Sequence, residues 1–107
     1  MKVAVTALEP SLDSDIDPRF GRARWIAIFD LDDDSVEFLD NAAGVDAASG
    51  AGVQTGTMVL NAGVEVLVTG HVGPKAGQVV AGGKIRIVED STGTVGEAVE
   101  RVRKGDF

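Results

Sequence analysis

The sequence predicts one α/β domain, a β-sheet covered by helices. A chain of 107 residues can bury one substantial core but not two. Aromatics are scarce, with four Phe, one Trp and no Tyr, so the core must be built from Val, Ile, Leu and Ala. Short β-branched runs alternate with helical patterns in the order β-β-β-α-β-α-β-α. About three helices are therefore expected, within a single domain over residues 1–107.

The elements follow in order. Lys2–Ala7 (KVAVTA) opens the chain as a short β-branched strand. Leu8–Arg22 lacks periodicity and holds two prolines and several Asp, which predicts a loop of about 15 residues, a length usually functional or mobile. Ala23–Asp30 (ARWIAIFD) alternates and reads as the second strand. Leu31–Ser35 is an Asp-rich turn, and Val36–Asp40 completes a hairpin. Asn41–Gly52, with Gly44, Gly50 and Gly52, reads as a flexible connection. Val53–Ala62 is a helix that Gly63 closes in the left-handed C′ position. Val64–Thr69 (VEVLVT) is apolar enough for the middle of a sheet. Pro74 suits a first helical position, and that helix runs to about Ala81 before Gly82-Gly83. Lys84–Val88 (KIRIV) alternates, with Lys84 and Arg86 fitting an edge. In the last helix, Thr94 and Glu97 form a capping box, and Val95, Ala98, Val99 and Val102 make one apolar stripe. Its terminal Arg101, Arg103 and Lys104 complement the helix dipole.

Composition excludes several functions. With no cysteine, disulfides and thiolate ligands for zinc or iron–sulfur clusters are ruled out. Neither a leader nor a transmembrane run is evident, so no membrane association and a cytoplasmic location are expected. A net charge of −7 argues against nucleic acid as a partner. Eleven of the 17 acids lie between Glu9 and Asp46, a stretch whose only bases are Arg19, Arg22 and Arg24. That basic knot in acidic surroundings asks for an explanation.

Three segments carry candidate chemistry. Asp17-Pro18-Arg19-Phe20-Gly21-Arg22-Ala23 leads from the long loop into the second strand. If the first two strands are antiparallel neighbours, these arginines lie at the carboxyl end of the first. Arginine's planar donors suit anion recognition, although Arg19 and Arg22 could instead pair with Asp13, Asp15 or Asp17 and merely pin the loop. Thr69-Gly70-His71-Val72-Gly73-Pro74-Lys75-Ala76 follows the buried strand and opens a helix, the place where α/β sheets collect ligands and helix N–H groups meet anions. Gly70 and Gly73 permit close approach, Lys75 adds charge, and His71, the one histidine, is a candidate metal ligand. Gly44–Gly56 holds Gly50 and Gly52 at a helix start, either for close packing or as a flap over a ligand. Trp25, directly after the basic motif, is expected to report binding there.

Other signatures are missing. There is no Gly-x-Gly-x-x-Gly after a strand and no phosphate loop, and one histidine does not complete a catalytic triad. Asp30, Asp32, Asp33 and Asp34 lack the EF-hand spacing and read as a solvated turn.

Asp17-Pro-Arg-Phe-Gly-Arg-Ala with a strand ending at Asp30, Gly50-Ala-Gly-Val-Gln-Thr, VEVLVTGHVGPKA over Val64–Ala76, and Gly93-Thr-Val-Gly-Glu-Ala-Val together resemble the dinitrogenase iron-molybdenum cofactor biosynthesis family. That family includes NifX, the C-terminal domain of NifB and the orange proteins. The resemblance implies a ribonuclease-H-like fold, with a mixed five-stranded sheet of order 3-2-1-4-5 and an antiparallel second strand. It also implies a non-catalytic carrier or scaffold for an anionic metal–sulfur cluster of molybdenum–copper sulfide or iron–molybdenum type. A protein donating or accepting the cluster would be its partner. On this reading Arg19, Phe20, Arg22, Gly50, Gly52, Gly70, His71, Gly73 and Lys75 surround the cluster, with His71 also a metal ligand. The sequence lacks the His- or Cys-rich tail of many relatives, so binding must proceed without thiolates, which favours the orange-protein branch, where the cluster is held non-covalently. Two other readings stay open: a cofactor-free interaction or regulatory module docking to a protein partner, and a binder of small anions or nucleotides, or an enzyme.

Overall fold

The computed structural model describes residues 1–47 and 50–107. Its strands are β1 (Lys2–Ala7), β2 (Trp25–Asp30), β3 (Ser35–Asp40), β4 (Val66–Val68) and β5 (Arg86–Val88). The helices are α1 (Ala42–Asp46), α2 (Ala51–Asn61), α3 (Pro74–Ala81) and α4 (Val95–Arg103), with a 3-10 turn over Phe20–Arg22. The sheet has the order β3-β2-β1-β4-β5. Strand β2 runs antiparallel to β1 and β3, while β4 is parallel to β1 and β5. This is the mixed sheet that the family resemblance implies.

Pleating sends alternate residues of each strand to two cores. Val3, Val5, Phe29, Val66 and Val68 pack beneath the Val95–Val99–Val102 stripe of α4. On the opposite face Ile26, Ile28 and Leu67 pack with Phe20, Val59 of α2 and Val80 of α3. Trp25 belongs to the α4 face. Both expected helix signals are present: Thr94 and Glu97 make the reciprocal capping box, and Gly63 has φ +72°.

Among the described residues four α-helices form, against the expected three or so. The extra one, α1, has five residues, too few to leave a periodic signal in sequence. Tertiary contacts hold it. Buried Asn41 donates its amide to the Ala23 carbonyl (2.8 Å) and to Thr55 Oγ1 (3.0 Å) just before the helix. Much of the expected flexible connection is thus helical, while Ala48 and Ser49 lie outside the described residues. Several bounds also shift. Strand β2 starts at Trp25 because Ala23 closes the 3-10 turn. Helix α2 begins at Ala51, and β5 begins only at Arg86, after Lys84 at φ +59°.

The long Leu8–Arg22 segment is stitched down. Ser14 Oγ accepts the Leu8 and Glu9 N–H groups (3.1 and 3.0 Å), and the Ile16 N–H bonds the Gly93 carbonyl (2.9 Å). The Asp17 N–H reaches the Thr6 carbonyl (2.9 Å), which delivers the following Pro18–Arg22 to the carboxyl end of β1.

Candidate functional site

At the carboxyl ends of β1 and β4, the arginine segment and the histidine segment meet. The His71 N–H donates to the Pro18 carbonyl (2.9 Å) and the Phe20 N–H to the His71 carbonyl (3.3 Å), so Arg19 and His71 pair like residues of parallel strands. Beneath them, buried Thr6 donates its hydroxyl to the Asp17 carbonyl (2.7 Å), and Thr6 Oγ1 lies 2.7 Å from Thr69 Oγ1. That ladder ties the two loops to neighbouring strands.

A cleft of about 590 Å3 opens where these loops meet the starts of α2 and α3, a volume suited to a small-molecule ligand. Arg19, Phe20, Arg22, Gly50, Gly52, His71, Gly73 and Lys75 all line it. Phe20 is only 1% exposed and forms its floor. Gly70 does not share the lining. A Cβ there would fall 2.5 Å from the Pro18 backbone, so this glycine exists to let the two loops touch. Gly52 likewise answers to packing, since its Cβ would meet the Ala76 Cβ at 2.9 Å.

Pro18, Gly21, Ala51, Val53, Pro74 and Ala76 complete the wall; sequence reasoning passed over them because small and apolar residues carry no chemical signal. Among the described residues the lining holds no carboxylate, hydroxyl, carboxamide or thiol. Among the described residues its formal charges are the cations Arg19, Arg22 and Lys75 alone, in a chain of net charge −7.

These cations are differently engaged. The side chain of Asp17, 2% exposed, accepts the Arg19 N–H (2.9 Å), Nε (3.3 Å) and Nη2 (3.4 Å). Arg19 is therefore oriented from beneath while remaining 65% exposed. Arg22 pairs with no Asp: its Nη1 donates to the carbonyls of Gly44 (3.4 Å), Val45 (3.1 Å) and Ala47 (2.6 Å), capping the end of α1. Lys75 is exposed and forms no ion pair among the described residues. His71 places Nδ1 3.6 Å from Glu89 Oε2, an oxygen that also accepts the Val72 N–H (2.9 Å). Glu89 follows the carboxyl end of β5, where ligands of such sheets collect, and that position was the signal available for it. No group of three or more His, Asp or Glu able to hold a metal ion occurs among the described residues.

Helix termini add to the positive field. Neither Gly50 before α2 nor Gly73 before α3 supplies a side-chain cap, and neither first turn contains an acid. The start of α4, away from the cleft, has both. Two helix starts with uncapped N–H groups thus face one cavity, each favouring negative charge. Trp25, by contrast, lies on the opposite sheet face, so the expectation that it reports on this cleft is withdrawn.

The dinitrogenase iron-molybdenum cofactor family matches residues 1–105. The apo orange protein from Desulfovibrio gigas superposes with a TM-score of 0.94 at 39% identity, over 98% of this chain and 88% of that one. A NifB-like protein from Thermotoga superposes at 0.83 with 28% identity, over 98% and 89%. No curated protein matches the sequence.

Proposed function

Because the chain belongs to the dinitrogenase iron-molybdenum cofactor family, we propose that it is a non-catalytic carrier or scaffold for an anionic metal–sulfur cluster, held non-covalently in the Arg19–Lys75 cleft. The observation that carries this reading is the lining itself, which among the described residues is cationic and apolar apart from His71, in an acidic protein. The cations and helix N–H groups attract anions in general, whereas the apolar part of the wall (Pro18, Phe20, Ala51, Val53, Pro74 and Ala76) disfavours a small, strongly hydrated oxyanion that would have to shed water against it. A sulfide-coated anion is larger and more weakly hydrated, so the same walls suit it.

The donor set fits such a cargo. The chain has no thiolate to offer, but a thiometallate brings its own sulfur ligands. Arg19 and Lys75 would balance its charge, while N–H groups at the α2 and α3 starts would donate to its sulfides. Phe20, Val53 and Pro74 would shield it from water. His71 is the one side chain able to fill an open coordination position on a metal, with Glu89 beside its other nitrogen. On an acidic molecule that otherwise repels anions, the cations of this cleft offer one positive potential. Molybdenum–copper sulfide and iron–molybdenum clusters share this chemistry, a protein donor or acceptor of the cluster is the implied partner, and a cytoplasmic setting belongs to the same proposal.

The test is uptake. Apo protein given tetrathiomolybdate and a copper(I) salt should gain visible charge-transfer bands that co-elute with it on gel filtration. Molybdate or phosphate should neither co-elute nor raise the melting temperature. Arg19→Ala with Lys75→Ala should weaken uptake at least about tenfold, given about 1–4 kcal/mol per close charge pair at intermediate dielectric. Unaltered uptake in that double variant would remove the cleft from consideration.

A further inference from the structure

The sheet's two edges are built in opposite ways. At one end β5 has three residues, is approached through Lys84 at φ +59°, and carries Arg86, whose guanidinium bonds the Phe107 carbonyl (3.1 Å) and lies over its ring. Short strands, cations and a covering segment are how proteins close an edge. At the other end β3 has six residues, with no proline and no lysine. Every second residue of such an edge turns its N–H and C=O away from its neighbour.

Apolar surface flanks β3 on both faces. On the α4 face Trp25, Val36 and Phe38 are half-buried; α4 packs on β1 and leaves this margin open. On the other face an open groove of about 630 Å3 runs between β2–β3 and α2, with Ile28, Leu39, Met58 and Ala62 as its apolar part and Lys2, Glu37, Gln54 and Asn61 along it. An added strand would place alternate side chains against these two surfaces. The edge is also acidic: residues 31–40 contain Asp32, Asp33, Asp34, Glu37 and Asp40 and no base. Asp34 and Asp40 are matched by Arg103 (2.7 Å) and Arg24 (2.9 Å), whereas Asp33 and Glu37 have no cation within ion-pairing distance among the described residues.

We propose that the β3 edge docks an extended basic segment of a partner protein by strand addition, with lysines or arginines opposite Asp33 and Glu37. Main-chain bonds would give affinity, and the flanking apolar surfaces would give register. A second copy of this chain is the poorer occupant, because β3 against β3 sets carboxylates against carboxylates. This site lies outside the cleft and stands whether or not a cluster is carried.

The probe is a capped peptide, acetyl-Lys-Val-Lys-Val-Lys-Val-amide, titrated into the apo protein. Amide shifts should concentrate in residues 35–40, with a change in Trp25 emission, and affinity should fall about tenfold between low and 0.3 M salt as screening sets in. Asp33→Asn with Glu37→Lys, the Asn keeping an acceptor for the Ser35 N–H (2.9 Å) and Glu37 being exposed, should weaken binding about tenfold. Equal binding of the Glu-for-Lys peptide, shifts centred on β5 or the cleft, salt-independent affinity, or an unchanged double variant would each overturn the proposal. So would dimerisation through β3 without peptide.

Discussion

Replacing Gly52 by Ala tests the contact that holds the two helix starts around one cavity. The new Cβ would fall 2.9 Å from the Ala76 Cβ, against a comfortable carbon–carbon separation of about 3.5–4.0 Å. Helices α2 and α3 would have to part by about 0.6–1.1 Å on that arithmetic. Ala76 has no rotamer with which to yield, and Gly21, whose own Cβ would lie 2.8 Å from the Gly52 nitrogen, blocks retreat on the other side. Overpacking of this kind costs about 1–3 kcal/mol. Alanine's better helix propensity returns at most about 1 kcal/mol, less in a first turn. A net loss of about 1–2 kcal/mol lowers the melting temperature by roughly 5–10 °C. The control is Ala76→Gly: alone it should destabilise by about 1 kcal/mol, but combined with Gly52→Ala it should recover about 1 kcal/mol relative to additivity. Thermal and urea denaturation followed by circular dichroism measure all four corners of this cycle. A Gly52→Ala protein that melts higher, or strict additivity with Ala76→Gly, would refute the close approach of α2 and α3.

Three further outcomes are expected. Arg22→Ala removes the donor to the Gly44, Val45 and Ala47 carbonyls, so amide exchange over residues 42–47 should quicken at least several-fold while the sheet amides hold their protection. Asp17→Asn keeps an acceptor for the Arg19 N–H but loses the carboxylate charge that pairs with the Arg19 guanidinium; denaturation should show a cost of about 1–3 kcal/mol, and thiometallate uptake should weaken as Arg19 loses its orientation. The Glu97 carboxyl is held below its ordinary value near 4.5 by the Thr94 N–H and hydroxyl. A depressed folded value stabilises above the unfolded value and is lost as pH falls through the folded one. Wild type should therefore exceed Glu97→Gln in stability at neutral pH, and the gap should close below about pH 4.5; a gap that persists at pH 2 would contradict the capping box.

Much of the fold was legible because its determinants are local. Val95, Ala98, Val99 and Val102 form a helical stripe whatever they pack against, and the Thr94–Glu97 cap is complete within four residues. The arginine and histidine segments were also legible as chemistry, since guanidinium, ammonium and imidazole groups declare themselves. What escaped depends on partners far away in the chain. Helix α1 exists because Asn41 reaches Ala23 and Thr55, and no five-residue window contains that fact. Gly50 and Gly52 are open in sequence to a flap or to close packing; Ala76 against Gly52 accounts for that glycine by packing, and Gly50 answers to its φ of +75°. Gly70 carries the same local signature of a ligand contact as Gly73, yet Pro18 crosses its face.

By itself the sequence determined the alternation of strands and helices, the absence of thiol ligands and the presence of a few cations in an acidic chain. Periodicity, composition and side-chain chemistry are properties of residues and their near neighbours. Only the tertiary structure decided that Arg19, His71 and Lys75 share one cavity with the uncapped starts of α2 and α3, that Arg22 is engaged with backbone carbonyls, and that β3 is left as the open edge. Those outcomes depend on how the sheet is ordered and how closely two helices approach. That distance is set by a glycine meeting an alanine across 24 residues of sequence, and nothing local to either residue encodes it.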